Sequence, residues 1–353
     1  MKIWHLISNR WNSAISEYAL SAARATSALG ADVLVSPLLG SPIEKRFLSA
    51  NCRLSSVENF GPGQFSRIAA INDKFKPDVI FTYGGPETTA AFFFKGEAKL
   101  IRFHGYKTDP KGAIGSAARK LGHIHVDAVL VPSEFIADGL RDAFSCPVEV
   151  VTLGCDTELF NFRDISRSPR PELLIFGRLD PVKGHREFFI LFKKMLRLSE
   201  EKGSPRPKLR IVGVPANLSV RHVMESAQQL GVSPEDFDIQ ADRISNVSDL
   251  MSKVSLGVVS SLGSEAICRV AEEFLLCGTP VVTTDVGSLK EVFIRETFGA
   301  CYGRNDSANA PEIISTVLLS SFGETTSDRR ARADEAKRHF SIEAMSEHLK
   351  RLI

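Results

Sequence analysis

Two acidic residues, Glu265 and Glu273, lie eight positions apart around the predicted start of a helix. The apolar run at residues 255–260 is typical of a buried strand, and residues 269–277 are typical of a helix that Gly278 ends. A strand-to-helix turn points free backbone N–H groups at one spot, where the positive end of the helix dipole favours an anion. Glu265 therefore lies at a predicted phosphate site, with Glu273 about two turns further along the helix.

Carboxylates beside an anion site are unfavourable unless they bind another group, and sugar hydroxyls are natural partners for them. Taken alone, the spacing also fits two solvated helix charges like the neighbouring Glu272. A pair of cations adds to the pattern, since Arg178 and Lys183 bracket a glycine-containing turn after the apolar run at residues 173–176. Such cations can bind a diphosphate, Arg as a planar fork and Lys as a point charge. Alone, this pair also fits solvated loop charges.

The composition is that of an ordinary globular protein, with 43% hydrophobic and 24% charged residues, and the length of 353 residues favours two domains. The net charge of +2 gives no indication of nucleic-acid binding. The six cysteines form no C-x-x-C pair and are interpreted as reduced thiols of a cytoplasmic protein. His123 and His125 form the one close histidine pair, with too few carboxylates nearby to predict a metal site.

The apolar stretches are too short for a secretory signal or a membrane span, because residues 1–6 hold only a brief apolar run and no window reaches eighteen apolar residues. We therefore expect a soluble protein. A basic cluster on and before the predicted helix at residues 113–121 leaves open a peripheral contact with the inner face of the membrane, or with a phosphorylated acceptor, and it also fits a solvated face. The cluster consists of Lys107, Lys111, Arg119 and Lys120.

Strand-like and helix-like segments alternate twice along the chain, which predicts two α/β domains with doubly wound parallel sheets facing across a cleft. The first series has predicted strands at residues 3–7, 32–36, 78–82, 99–103 and 128–131, and predicted helices at 15–29, 64–75 and 113–121. The second has predicted strands at 173–176, 209–212, 237–240, 256–260 and 280–283, and predicted helices at 186–198, 219–230 and 269–277.

The polar, proline-containing stretch at residues 160–171 predicts the linker between the two domains. An N-terminal Rossmann-like domain on the acceptor side is accordingly expected at residues 1–165. A C-terminal Rossmann-like domain that binds the nucleotide sugar is expected at 166–335. Residues 336–353 are predicted to end the chain as a helix that packs back toward the N-terminal domain.

In combination, the motifs resemble those of the retaining, nucleotide-sugar-dependent glycosyltransferases of family 4, which have the GT-B fold. The motifs follow one another in the same order as in that family and cover nearly the whole chain. Its main motifs are Gly177-Arg178, Lys183-Gly184, Glu265 with Glu273, residues 277–282 (CGTPVV) and residues 285–287 (DVG). Residues 9–14 replace the family's glycine-rich first loop, and residues 263–268 lack the common Glu-Gly-Phe-Gly motif. This variant looks like bacterial enzymes that build lipopolysaccharide or other surface glycans.

The resemblance implies a donor site without a metal ion or other cofactor. Arg178 and Lys183 would neutralise the donor diphosphate and stabilise the departing nucleotide as the glycosidic bond breaks. Backbone N–H groups of Ile267 and Cys268 would contact the phosphate and sugar. With two basic side chains and a helix terminus in that role, no metal is required.

The resemblance also gives each acid its own role. Glu265 would contact the transferred sugar, and Glu273 would hold the nucleotide ribose through its hydroxyls. His104, at the end of the predicted strand at 99–103 and facing the predicted cleft, would contact the donor sugar or the acceptor, although a hydrogen-bonded structural histidine fits that position equally. Glu265 and His104 are thus the expected catalytic residues.

The implied activity is transfer of a sugar from a nucleotide sugar to an acceptor hydroxyl with retention at the anomeric carbon. The acceptor would be a glycan or a lipid-linked glycan, in bacterial lipopolysaccharide, exopolysaccharide or glycolipid synthesis, and no nucleic-acid partner is expected. No enzymic nucleophile is apparent, which fits a front-face mechanism in which the leaving phosphate takes the acceptor proton. Two alternatives stay open: another GT-B enzyme such as a sugar-nucleotide epimerase, and a non-catalytic GT-B binding subunit.

Overall fold

The computed structural model describes residues 1–106, 126–242, 244–263, 265–267 and 269–353. The chain forms two compact units. The first unit comprises Met1–Gly154 and His339–Ile353, and the second comprises Cys155–Arg338. The boundaries that the sequence predicts, at residues 165 and 335, differ from these by eleven and three positions.

The first unit is built on a six-stranded, entirely parallel sheet with strand order β2-β1-β3-β4-β5-β6. Its strands are β1 Lys2–Leu6, β2 Asp32–Ser36, β3 Val79–Thr82, β4 Lys99–Phe103, β5 Ala128–Val131 and β6 Val148–Val150. Its described helices up to residue 154 are α1 Ala14–Ala28, α2 Pro42–Ser49, α3 Phe65–Phe75, α4 Gly85–Phe94 and α5 Glu134–Ala137. The predicted helix at residues 113–121 and the basic cluster around it lie outside the described residues.

The second unit contains a second six-stranded parallel sheet with strand order β12-β11-β10-β7-β8-β9. Its strands are β7 Glu172–Phe176, β8 Lys208–Val212, β9 Phe237–Gln240, β10 Leu256–Val259, β11 Val281–Thr284 and β12 Gly299–Tyr302. Its helices are α6 His185–Lys202, α7 Val220–Gln229, α8 Val247–Lys253, α9 Arg269–Leu276, α10 Ala310–Phe322 and α11 Thr326–Phe340, the last of which ends in the first unit. These two parallel sheets with their helices confirm the predicted α/β architecture.

The order of the second sheet reverses between β10 and β7, so the chain leaves these adjacent strands in opposite directions along the sheet. In open α/β sheets a crevice forms outside the carboxyl ends of the strands at such a reversal, and ligands bind there. In β10 all four residues are buried, as expected of a central strand covered on both faces. The turns after β7 and β10 are therefore held on a rigid, packed base.

Helix α6 shows how the second sheet is covered. Phe188, Phe192 and Met195 lie at helical spacing, are each at most 1% exposed, and belong to one apolar core with residues of β7, β8 and β10. This packing fixes the amino end of α6 beside the carboxyl end of β7.

The last helix, α12 Ile342–Lys350, belongs to the first unit and packs against α1. The Ser346 hydroxyl donates a hydrogen bond to the Ala25 carbonyl at 2.9 Å. Gly154 allows the close approach, since a Cβ there would lie 2.8 Å from the Cα of Ile342. None of the described helices is long and apolar enough to cross a bilayer.

Candidate functional site

The turn after β7, residues 177–184, carries both predicted cations and is called the cationic turn below. Its hydrogen bonds centre on Asp180, whose carboxylate accepts from the Val182 backbone N–H at 3.0 Å and from the Asn217 side-chain amide at 2.7 Å. These bonds, with the Val182 N–H first among them, lower the pKa of Asp180 and keep it ionised. Arg178 is exposed at the carboxyl end of β7, and Lys183 ends a short 3₁₀ helix, Pro181–Lys183.

The turn after β10, described at residues 260–263 and 265–267, is called the acidic turn and is joined directly to the cationic turn. The Leu262 N–H donates to the Val182 carbonyl at 2.7 Å, and the Ser260 hydroxyl donates to the Lys183 carbonyl at 2.9 Å. Gly184, with φ of +67°, makes this possible because a Cβ there would lie 2.0 Å from the Ser260 carbonyl oxygen. These contacts hold the backbones of the two turns together.

This joining brings two of the sequence-predicted residues, Lys183 and Glu265, into direct contact. Lys183 Nζ lies 2.6 Å from Glu265 Oε1, and the Ser261 hydroxyl donates to the same oxygen. The side chain of Glu265 is 9% exposed and that of Lys183 is 27% exposed. A nearly buried carboxylate therefore lies beside a cation that still reaches solvent.

Residues at the end of β11 hold the acidic turn from the other side. The Thr284 hydroxyl donates to the Ser261 carbonyl at 2.7 Å, while the backbone N–H and the hydroxyl of Ser288 donate to the Glu265 carbonyl at 3.0 and 3.2 Å. Gly287, with φ of +61°, lets the chains meet because a Cβ there would lie 2.0 Å from the Glu265 carbonyl oxygen. We call Thr284, Gly287 and Ser288 the β11 clamp.

The β11 clamp gives a physical reason for the glycine of the DVG motif at residues 285–287. In the sequence analysis this motif is only part of the resemblance to the family. Sequence reasoning missed Ser261, Thr284 and Ser288 altogether. A signal existed for Gly287 alone, because a glycine after a strand marks a close backbone approach or a positive φ.

Glu273 is buried within α9 and forms an ion pair with Arg269, whose Nε lies 2.6 Å from Glu273 Oε1. Burial raises the pKa of Glu273, and the charge of Arg269 opposes that rise. The interpretation of Glu272 as a solvated helix charge is wrong: this residue is 2% exposed, and Cys155 Sγ lies 3.5 Å from its Oε2. The reason is that α9 is covered on the faces carrying both acids, so neither side chain reaches bulk water.

Burial raises the pKa of Glu272 from 4.5 to about 8. The contact with Cys155 and the charge of Arg269 lower this pKa, whereas the charge of Glu273 raises it further. The folded chain keeps a proton that the unfolded chain loses above pH 4.5, so the free energy of unfolding falls as the pH rises toward 8. The contribution is at most about 1.4 kcal/mol per pH unit. We expect Glu272→Gln to remove this slope in urea unfolding between pH 5.5 and 8. The exposed Glu201→Gln is the control. If the free energy of unfolding changes equally with pH in the wild type and in both variants, Glu272 is not neutral in the folded protein.

The other predicted site residues are placed as follows. His104 lies in the first unit just after β4, is 2% exposed, and contacts the Tyr106 ring at an interplanar angle of 39°, with ring centroids 4.4 Å apart. Ile267 lies two positions before α9 with its side chain buried, and Cys268 lies outside the described residues. Arg178, Lys183, Glu265 and Glu273 all belong to the second unit, whereas His104 does not.

Comparison with known proteins gives the fold and the family. The profile described as glycosyl transferases group 1 matches residues 157–340. A crystal structure of Anabaena HepE in complex with UDP is 15% identical with a TM-score of 0.78, covering 100% of this chain and 99% of that one. A glycosyltransferase from Rickettsia africae is 16% identical with a TM-score of 0.79, covering 99% and 97%.

A third similar structure is that of the lipopolysaccharide outer core galactosyltransferase WaaB, 12% identical with a TM-score of 0.72, covering 99% of this chain and 98% of that one. No curated protein sequence matches the chain significantly. The structural likeness over the full chain shows the GT-B fold. Because the family profile covers more than half of its residues, this chain belongs to the group 1 glycosyl transferases.

Proposed function

We propose that this protein is a retaining, metal-independent glycosyltransferase of family 4 that moves a sugar from a nucleotide-sugar donor to an acceptor hydroxyl. One observation carries the proposal. Lys183 Nζ lies 2.6 Å from Glu265 Oε1 at the carboxyl ends of β7 and β10, where the strand order of the second sheet reverses. A cation and a nearly buried carboxylate at such a crevice fit the diphosphate and the sugar of one donor.

The cationic turn would bind the donor diphosphate. A lysine ammonium has three N–H donors, and the one that Glu265 accepts from Lys183 would be exchanged for a phosphate oxygen when the donor binds, so all three can reach the diphosphate. Arg178 is exposed at the same strand end and adds a planar fork. Their charges favour departure of the nucleoside diphosphate, because negative charge builds on it as the glycosidic bond breaks. Backbone N–H groups of Ile267 and Cys268 would complete the phosphate contacts.

Glu265 would accept hydrogen bonds from hydroxyls of the transferred sugar and offset the positive charge that develops on its ring. Glu273 would hold the ribose, which requires it to exchange its bond with Arg269 for bonds to the hydroxyls. His104 of the first unit would contact the donor sugar or the acceptor. Retention would follow from a front-face reaction in which the leaving phosphate takes the acceptor proton.

Uracil is the first base to test. The structures named for Anabaena HepE contain UDP, UDP with glucose, and UDP-glucose. WaaB, named as a lipopolysaccharide galactosyltransferase, supports a surface-glycan pathway and a glycan or lipid-linked acceptor. A cytoplasmic location, with peripheral contact at the inner face of the membrane, completes the proposal.

The experiment is a thermal-shift screen of the purified protein with UDP, GDP and ADP and with their glucose conjugates. One nucleotide should raise the melting temperature, since a ligand that binds only the folded state stabilises it by about 2.7 kcal/mol at a concentration of 100 Kd. The matching nucleotide sugar is then incubated with lipid-linked glycan acceptors, and the anomeric configuration of the product is read by NMR.

Three outcomes separate the alternatives. Transfer with a retained anomeric centre supports the proposal. A nucleotide sugar that binds but is never consumed indicates a non-catalytic binding subunit, and an altered sugar formed without any acceptor indicates an epimerase.

A further inference from the structure

Ser261 has contacts that the donor-site roles above do not use. It is fully buried, its hydroxyl donates to Glu265 Oε1, and its carbonyl accepts from the Thr284 hydroxyl at 2.7 Å. A serine side chain turns about a single bond, so an anchor of this kind is short and stiff. The Ser261 hydroxyl therefore fixes the direction of the Glu265 carboxylate.

The other partner of that carboxylate, Lys183, is a weaker anchor. Its long side chain is 27% exposed, and partly exposed ion pairs hold their partners weakly because solvent screens the two charges. In the proposed function the same ammonium must also bind a diphosphate, whose larger charge competes directly with Glu265 for its N–H groups. Lys183 cannot serve as a permanent anchor of Glu265 while it binds the donor.

The main chain of Glu265 is held independently of Lys183. Its carbonyl accepts two hydrogen bonds from Ser288, at 3.0 and 3.2 Å, and Gly287 allows this approach. With the backbone fixed, the orientation of the carboxylate depends on its side-chain partners. When Lys183 turns to the diphosphate, Ser261 is the described partner that remains.

We propose that Ser261, held by the Thr284 hydroxyl, is a positioning residue that keeps the Glu265 carboxylate directed at the sugar while Lys183 binds the donor diphosphate. The inference rests on the proposed function. It makes a specific distinction between ligands, because the nucleoside diphosphate alone needs Lys183 but not Glu265, whereas the nucleotide sugar needs both.

The test compares Ser261→Ala with the wild type, using UDP and UDP-glucose as probes in titration calorimetry and UDP release as the measure of turnover. We expect the affinity for UDP to stay within about twofold and kcat to fall about 10- to 100-fold, as for the loss of one hydrogen bond to a group acting in the transition state. The extra affinity of UDP-glucose over UDP should also be lost. Ser261→Thr, which restores a hydroxyl, should recover part of both.

Two further variants keep the test informative if Ser261→Ala folds poorly. Thr284→Val removes the hydroxyl that holds the Ser261 carbonyl and keeps the shape, so it should show the same pattern with a several-fold effect. Thr283→Val, at the neighbouring buried threonine that has no described contact with Ser261 or Glu265, should behave as the wild type. Equal turnover of Thr284→Val and Thr283→Val, or equal loss of UDP and UDP-glucose affinity, overturns the positioning role. If the wild type neither binds nor turns over UDP-glucose, the uridine form of the proposed function fails instead.

Discussion

Glu265→Gln is expected to lower sugar transfer about a hundred- to a thousandfold while leaving the fold and the affinity for UDP almost unchanged. The amide oxygen can still accept from Lys183 and Ser261, so the acidic turn keeps its shape. What is lost is a negative charge that is 9% exposed, where a low local dielectric strengthens its interaction with positive charge on the reacting sugar. The measurements are kcat from UDP release, the Kd of UDP by calorimetry, and the melting temperature.

The exposed Glu235→Gln in the same unit is the control and should retain full activity. Turnover of Glu265→Gln at the wild-type rate would remove this residue from the reaction. A parallel loss of UDP affinity would instead assign Glu265 to shaping the cationic turn, since Lys183 would then depend on it for its position.

The contact between Lys183 and Glu265 could be anticipated from the sequence because each follows a short apolar run. In a parallel sheet the carboxyl ends of neighbouring strands meet at one edge, so residues 82 positions apart come together there. The details that support the contact could not be anticipated. Nothing in the sequence distinguishes Ser261 and Ser288 from other serines. Only the folded structure shows which carbonyl or carboxylate accepts from each hydroxyl.

Three elements of the fold that the sequence analysis does not predict have identifiable causes. β12, with the sequence GACY, starts at a glycine with φ of +126° that lies against the Val281 carbonyl, so a strand forms there without a β-branched run. β6 has three residues at the edge of its sheet, too few for a pattern. Helix α10 is rich in apolar residues on most of its surface, which hides the helical period in the sequence.

The prediction that Glu272 is solvated is wrong for a related reason. A charged residue beside a functional acid in a helix is ordinarily solvated, and the sequence carries no sign that α9 is buried on that face. The burial of Cys155 next to Glu272 comes from a segment more than a hundred positions away in the chain. Burial of a polar residue is decided by tertiary packing, which local sequence patterns do not report.

Two buried arginines of the second unit share the carboxylate of Glu324. Both Arg332 and Arg167 pair with it, and their side chains are 4% and 9% exposed. Arg329, 3% exposed, donates to the Ser252 carbonyl, and its charge helps to lower the pKa of Arg167 to about 10, after the larger effect of burial. Arg332 also donates to the Gly278 carbonyl at 2.9 Å, just before β11, so these arginines tie the C-terminal helices to the sheet.

Glu324→Gln is therefore expected to lower the free energy of unfolding of the second unit by about 3–5 kcal/mol, because it removes the charged ion-pair partner of the buried Arg332 and Arg167 guanidinium groups. Urea unfolding followed by circular dichroism measures the change. Glu312→Gln is the matched control: Glu312 pairs with Lys202 at side-chain exposures of 50% and 55%, and such exposed pairs contribute about 0–1 kcal/mol. If both variants lose less than about 1 kcal/mol, the backbone carbonyls alone stabilise these arginines, and Glu324 is dispensable for the packing of the helices that follow β12.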